Sequence, residues 1–242
     1  MLTAALFSAV ALLAPSSLPR TQLLSGPGLA ADANLWMPFV GLGTGDHSPN
    51  PESSCGFHCN ITAAWLQLGG HRLDGADSYG DEVGVGEGIK LAKVDRSQAW
   101  ITSKVGPGGY HFPLGYNDTL SQAAGILKNY STTHVDLLLI HAPEVQLPFV
   151  VSPQDPACIP TDPAYTPTKC RIATWRAMLR LWKTGKARAV GVSNYGIDEL
   201  QEIDLLAVLR VNDLPQLLLG AGRQGHLQVP DALGAVLPRP SQ

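Results

Sequence analysis

The stretch RLDGADSYGDE (residues 72–82) places an acid, Asp74, five residues before a tyrosine, Tyr79. A tyrosine hydroxyl has an ordinary pKa of about 10, so it is a poor proton donor near neutral pH. A nearby ammonium group favours loss of that proton, and an acid can hold the ammonium in place. The stretch therefore has chemical meaning only if the fold brings a lysine beside it and builds a pocket around them.

Further polar side chains stand where apolar runs end. Lys104 ends AWITSK, His141 follows VDLLLI, and the pair Ser193-Asn194 follows ARAVGV. In a parallel barrel all C-terminal strand ends face one mouth, where active sites lie, so these residues would meet Asp74 there. In a doubly wound sheet they would spread along one edge, and only those at a switch point would meet.

The elements that must position these residues alternate between short apolar runs and amphipathic segments. Five such βα units in a row predict an α/β fold with a parallel sheet. The predicted strands are 37–43, 71–74, 99–104, 135–143 and 187–194. The predicted helices are 60–69 with Asn60 as its N-cap, 81–90, 118–130, 172–184 and 198–210.

A closed barrel needs eight units and about 250 residues. After the fifth helix, PQLLL (215–219) is the one remaining strand candidate, so the chain supplies five units and part of a sixth. The rest, residues 220–242, is rich in glycine and proline and is predicted to be irregular.

The order of these motifs resembles the aldo-keto reductases. GGHRLDGADSYGDE is similar to the family signature, in which Asp and Tyr lie five apart. MPFVGLGTG, ITSK, DLLLIHAP and GKARAVGVSNYGIDEL resemble its first, third, fourth and fifth strands, in family order from about Met37 to Arg210. The resemblance implies a (β/α)8 TIM-barrel type of fold over residues 34–219, incomplete at the C-terminal end.

The resemblance also implies NADPH-dependent reduction of an aldehyde or ketone to an alcohol. Tyr79 would donate the proton, Lys104 would supply the positive charge beside it, Asp74 would hold Lys104, and His141 would orient the substrate carbonyl. A small-molecule carbonyl is thus the expected substrate.

The resemblance identifies only a few of the family's cofactor-binding residues in this sequence. Ser193 and Asn194 would hold the nicotinamide carboxamide, and Gln216 is the candidate on strand six. The family's aromatic after strand seven and its basic cluster after strand eight have no counterpart in the sequence. Gly70 and Gly75 also depart from the family, which usually has an aromatic and a threonine there. An open barrel would expose strand edges, so a partner chain covering that edge is an expectation.

Two other interpretations stay open. The chain could be a catalytically inactive barrel remnant or a partner-binding protein, since the seventh and eighth units are missing. It could also be a metal-dependent hydrolase that uses His71, Asp74 and His141, although their spacing matches no strong metal motif.

The remaining features concern the compartment. Residues 1–33 contain an apolar run (2–14), which favours a signal or transit segment and is too short to span a membrane. Four cysteines and three N-x-[ST] sequons at Asn60, Asn117 and Asn129 favour the secretory pathway or an extracellular location, with an organelle or the cytoplasm as alternatives.

Cys55 and Cys59 could pair or bind metal with His58, and Cys158 and Cys170 could pair. A net charge of −3 gives no indication of nucleic-acid binding.

Overall fold

A computed structural model of the chain describes residues 20–22, 35–45, 55–107, 114–144, 154–208 and 237–238. The strands are β1 (Arg20–Gln22), β2 (Trp36–Pro38), β3 (Gly41–Gly43), β4 (Arg72–Asp74), β5 (Trp100–Val105), β6 (Val135–Ile140), β7 (Ala187–Val192) and β8 (Leu237–Pro238). The helices are α1 (Phe57–Gln67), α2 (Glu82–Ala92), α3 (Tyr116–Asn129), α4 (Pro167–Lys183) and α5 (Ile197–Val208).

The main sheet has the order β3-β4-β5-β6-β7-β8. Its first five strands are parallel and consecutive, each joined to the next by a helical crossover. β5 and β6 are buried at every position, as expected for strands covered on both faces. The predicted α/β fold of five βα units is confirmed, and it forms part of a barrel.

The strand side chains divide the core into two parts. One set faces the helices in a large cluster that includes Leu73, Ile101 and Leu138. The other faces the concave side of the sheet, where Leu137 and Leu139 pack with Met37 of β2. Leu35 and Met37 therefore help to cover this side of the sheet.

Several predicted boundaries differ from the structure, and three of them are informative. The run 37–43 is divided between β2 and β3, because β2 pairs with β1 whereas β3 joins the main sheet. Helix α1 begins at Phe57, so Asn60 lies inside the helix and the N-cap is Gly56. Helix α4 begins five residues earlier than predicted, at Pro167, where the Thr166 side chain accepts a hydrogen bond from the Lys169 amide. Proline at the first helical position after a threonine cap is a signal that could have located this start.

All four cysteines are among the described residues, and all are paired. Cys55–Cys59 spans the start of α1, and Cys158–Cys170 joins the turn at Pro156–Cys158 to the first turn of α4. The sulfurs of the first pair are therefore bonded to each other and do not ligate a metal with His58. The secretory or extracellular location remains a prediction.

Two short strands lie in segments for which no regular structure was expected. β1 falls within 1–33, and β8 falls within the tail 220–242. β8 pairs with the outer edge of β7 through Ala189–Pro238 and Val190–Leu237, which gives partners to backbone groups that a sixth parallel strand would otherwise pair. The domain boundaries and a partner chain at the open edge remain predictions, and segment 215–219 with Gln216 lies outside the described residues. No helix in the described ranges is long and apolar enough to cross a membrane.

Candidate functional site

Backbone hydrogen bonds continue the parallel ladder beyond the strands and fix the mouth of the partial barrel. The amide of Gly75 donates to Thr102 O (3.0 Å), that of His141 to Val105 O (2.8 Å), and that of Ser193 to Ile140 O (2.8 Å). The residues just after β4, β6 and β7 are thus held in register with their neighbouring strands. This places the predicted site residues at one edge of the sheet.

Lys104 is the central cation of the mouth. It is 2% exposed, and its ammonium group lies 2.8 Å from Asp74 Oδ1, 3.0 Å from Gly75 O and 3.5 Å from the Tyr79 hydroxyl. An ammonium group has three N–H donors, so these contacts account for all of them. Two of the three are short and anchor the amine, and the third directs positive charge at Tyr79.

Tyr79 ends a 3₁₀ turn, Asp77–Tyr79, that follows β4. Gly80 ends the turn with φ +71°, a left-handed conformation that glycine adopts without strain. The Tyr79 hydroxyl is 3.5 Å from His141 Nε2, and the two rings meet edge to face with centroids 5.5 Å apart. The hydroxyl therefore lies between an ammonium group and an imidazole.

The pair Ser193-Asn194 supports His141 from the end of β7. Asn194 Nδ2 donates to His141 O (2.8 Å) and to Ser193 Oγ (3.0 Å). Asn194 has φ +60°, a left-handed conformation in which asparagine is the best tolerated of the larger residues. The structure thus brings together all six predicted site residues that it describes: Asp74, Tyr79, Lys104, His141, Ser193 and Asn194.

Arg72 is a site residue that sequence reasoning missed. It is 4% exposed, and its Nη2 donates to Asp74 Oδ2 at 2.7 Å, on the oxygen opposite the one that Lys104 uses. A side chain at residue 41 would contact the Arg72 side chain at 3.0 Å, so Gly41 gives it room. The alternation of side chains along a strand could have indicated this contact, because Arg72 and Asp74 are two residues apart and lie on the same face of β4.

A cavity of about 420 Å³ opens beside these groups. It is lined by Phe39, Gly41, Gly43, Gly45, Arg72, Asp74, Tyr79 and Lys104. A side chain at residue 45 would collide with the Tyr79 ring, whereas the space above Gly43 is open. Its size falls within the range of small-molecule sites, and its polar lining consists of the Tyr79 hydroxyl and the Asp74 carboxylate with its two paired cations.

The alternative metal site is not assembled. His71 precedes β4 at the end away from the mouth, and its Nδ1 is 2.9 Å from Gln98 O. Both carboxylate oxygens of Asp74 contact cations. In the part of the chain that the structure describes, no three His, Cys, Asp or Glu side chains are grouped so that they could hold a metal ion.

Comparison with known proteins identifies the family to which the chain belongs. The sequence model of the aldo/keto reductase family matches residues 40–214, most of the chain. The chain is an aldo-keto reductase family member. It is 33% identical over 195 residues to glycerol 2-dehydrogenase (NADP(+)) of Saccharomyces cerevisiae, covering 78% of this chain and 58% of that protein. It is 32% identical over 167 residues to glyoxal reductase of Bacillus subtilis, covering 69% and 49%.

Solved structures agree with this assignment. An aldo/keto reductase from Brucella melitensis superposes with a TM-score of 0.59 at 25% identity, over 79% of this chain and 59% of that one. A Bombyx mori aldo-keto reductase in complex with NADP gives 0.55 at 25% identity, over 78% and 54%. This aldo-keto reductase thus spans about half to three-fifths of the length of the relatives it matches.

The two glycines that depart from the family pattern are each matched by an aromatic from elsewhere in the chain. A side chain at Gly70 would collide with the Trp65 ring, whose Nε1 donates to Arg72 O at 3.0 Å. A side chain at Gly75 would collide with the hydroxyl of the buried Tyr130. In this chain, Trp65 and Tyr130 therefore occupy the space that larger residues at 70 and 75 would need.

Three acids lie behind the mouth, at and after the Tyr79 turn. Burial raises the pKa of Asp77 and of Asp81 to about 6. Burial, with the negative charge of Asp77, raises the pKa of Glu82 to about 8. Glu82 accepts hydrogen bonds from Ser103 (3.0 Å) and Asn129 (3.1 Å), so it joins α2 to β5 and α3 directly behind Lys104.

This cluster predicts a pH-dependent stability. The pKa of Glu82 rises from 4.5 to about 8 on folding, so the folded chain binds more protons than the unfolded chain between those values. Stability must then fall as pH rises through that range, by about 3 to 4 kcal/mol between pH 5 and 8.5 for this group. Urea unfolding at a series of pH values measures it. We expect Glu82→Gln, which is neutral at every pH, to flatten the dependence; an equally steep profile in that variant would contradict the assignment.

Proposed function

We propose that this chain reduces an aldehyde or ketone to an alcohol with NADPH. The observation that carries the proposal is the position of the Tyr79 hydroxyl, 3.5 Å from both the Lys104 ammonium and His141 Nε2 at the edge of the cavity. Tyr79 Oη accepts a hydrogen bond from Lys104, which leaves its own proton for a substrate oxygen. A carbonyl oxygen placed between Tyr79 and His141 would meet two donors.

The charges around Tyr79 suit the reaction. As the carbonyl is reduced, negative charge develops on its oxygen, and preorganised donors and cations stabilise that charge without reorganising. Tyr79 gives its proton to this oxygen, and the Lys104 ammonium stabilises the phenolate that results. Asp74 and Gly75 O hold the ammonium, so positive charge stays beside Tyr79 throughout.

The residues present fit the nicotinamide end of a dinucleotide. Among the described residues, the contacts of Ser193 and Asn194 leave the serine hydroxyl as a donor and Asn194 Oδ1 as an acceptor. A carboxamide needs this combination of donor and acceptor. Ser193 and Asn194 would hold the carboxamide, and the open space over Gly43 would admit the ring. When bound, the cofactor supplies the hydride. A role for Gln216 stays a prediction.

The substrate is proposed only as a class. The relatives named above are a glycerol dehydrogenase and a glyoxal reductase, so small hydroxycarbonyl and dicarbonyl compounds are the first to screen. The mouth supports this choice, because Arg72 and Lys104 give it a polar wall while Phe39 gives it an apolar one.

The first experiment is a titration of the purified chain with NADPH, followed by nicotinamide fluorescence, with NADH in parallel. We expect saturable NADPH binding in the micromolar range, and oxidation of the cofactor when glyoxal or another carbonyl is added. No binding by a chain that is folded by circular dichroism would overturn the proposal. That result would favour the inactive or partner-binding interpretation.

A further inference from the structure

Ser78 occupies a place in the site that neither the family pattern nor the proposed mechanism uses. Its Oγ lies 3.2 Å from His141 Nδ1, while the next residue, Tyr79, lies 3.5 Å from His141 Nε2. Consecutive residues of one 3₁₀ turn therefore face the two nitrogens of one imidazole. The conformation of this turn therefore fixes the positions of both the Ser78 and the Tyr79 hydroxyl relative to His141.

Backbone contacts define the conformation of this turn. Ala76, which precedes it, is fully buried and extended, and the Tyr79 amide donates to Ala76 O at 3.0 Å. Gly80 closes it in the left-handed conformation. Ser78 and Tyr79 are thus positioned as a unit by the backbone.

His141 is held by both of its backbone polar groups, and its ring contacts Tyr79 and Ser78. The His141 amide donates to Val105 O, its carbonyl accepts from Asn194 Nδ2, and its ring stands edge to face against Tyr79. With the ring held, the remaining variable of a neutral histidine is which nitrogen carries the proton, and that is set by the hydrogen bond at the other nitrogen.

We propose that Ser78 is a positioning residue that donates to His141 Nδ1 and so keeps the proton on Nε2. Nε2–H then faces Tyr79 and can donate to the substrate oxygen. In the opposite tautomer Nε2 would be an acceptor and would compete with the substrate for the Tyr79 proton. The direction of the bond rests on the proposed function, because carbonyl reduction needs a donor at Nε2.

The test reads the tautomer without any substrate. Long-range proton–nitrogen NMR of ¹⁵N-histidine-labelled chain, well above the ordinary histidine pKa, distinguishes a protonated from an unprotonated ring nitrogen. A His141→Asn sample assigns the His141 signals among the seven histidines. We expect Nε2–H in the unmodified chain and in Ser78→Thr, which keeps the hydroxyl, and a mixture of tautomers in Ser78→Ala.

Kinetics supply a second readout. In Ser78→Ala, kcat should fall about tenfold with little change in KM, and Ser78→Thr should restore most of it. Ser97→Ala, at an exposed serine in the turn Arg96–Gln98, is the matched control and should leave both the NMR signals and kcat unchanged.

A proton on Nδ1 in the unmodified chain, or a His141 spectrum unchanged by Ser78→Ala, overturns the inference. Nε2–H in a chain without reductase activity would support the inference about Ser78 and contradict the proposed function instead.

Discussion

Replacing Tyr79 by phenylalanine is expected to lower the turnover of carbonyl reduction about a thousandfold or more. The substitution removes one oxygen and its proton from the position 3.5 Å from Lys104 and His141, and keeps the ring that packs against His141. Proton transfer by a positioned side chain contributes about 10² to 10⁴ in rate, and the neighbouring ammonium adds its effect through the same hydroxyl. Turnover with glyoxal, measured by NADPH oxidation, gives the number.

NADPH affinity should change little in this variant, because Ser193 and Asn194 are untouched. The matched control is Tyr116→Phe, at the start of α3, where the hydroxyl accepts a hydrogen bond from Arg180 outside the mouth. Its turnover should equal that of the unmodified chain. If Tyr79→Phe retains normal turnover while binding NADPH, Tyr79 does not donate the proton.

The positions of Asp74, Lys104 and His141 could be predicted because each stands at the end of an apolar run. The C-terminal ends of parallel strands all lie at one edge of the sheet, so residues at the ends of successive apolar runs can be predicted to lie near one another. The same argument holds for Ser193 after β7. Each lies at the mouth in the structure, and the Gly75, His141 and Ser193 amides continue the ladder that places them there.

The contacts of Arg72 and Ser78 could not be predicted in the same way. A charged residue in a three-residue strand is ordinarily an exposed one, and the burial of Arg72 depends on Gly41 from a different strand. The contact of Ser78 with His141 joins residues 63 positions apart. The Ser78 contact and the burial of Arg72 depend on side-chain directions in different elements, which sequence periodicity does not specify, whereas the pairing of Arg72 with Asp74 follows from the alternation along β4.

The glycines show how a departure from a family pattern can be absorbed. Gly70 and Gly75 depart from the family pattern, and Trp65 and Tyr130 lie where larger side chains would be. Trp65 lies at the end of α1, just before Gly70 in the sequence, whereas Tyr130 follows α3 and is distant in sequence from Gly75. The packed structure thus shows which side chain fills the space beside each glycine.

Asp74 pairs with two buried cations at once. Its two oxygens contact two different buried cations, Lys104 at 2.8 Å and Arg72 at 2.7 Å, whose side chains are 2% and 5% exposed. A buried charge without its partner is costly, because it has lost its hydration and gains nothing in return. Asp74 therefore serves the stability of the fold as well as the orientation of Lys104.

We expect Asp74→Asn to lower the free energy of unfolding by about 3 to 5 kcal/mol, measured by urea denaturation, because the change leaves both cations without their counter-charge. Asp81, which also interacts electrostatically with Lys104, offsets part of the loss. Adding Arg72→Met to Asp74→Asn should recover part of the stability, since it removes one of the two buried cations that Asp74→Asn leaves without a counter-charge. Simple additivity of the two losses would contradict this coupling.

Asp136 provides the matched control. This buried acid on β6 also joins two cations, Arg96 at 2.8 Å and Arg188 at 2.7 Å, but their side chains are 27% and 47% exposed. When Asp136→Asn removes the charge, both guanidinium groups can turn to water, so the expected loss is only about 1 to 2 kcal/mol. If the losses at Asp74 and Asp136 were equal, the burial of Arg72 and Lys104 would not be what makes Asp74 critical, and the stabilising role assigned to the pair at the mouth would be wrong.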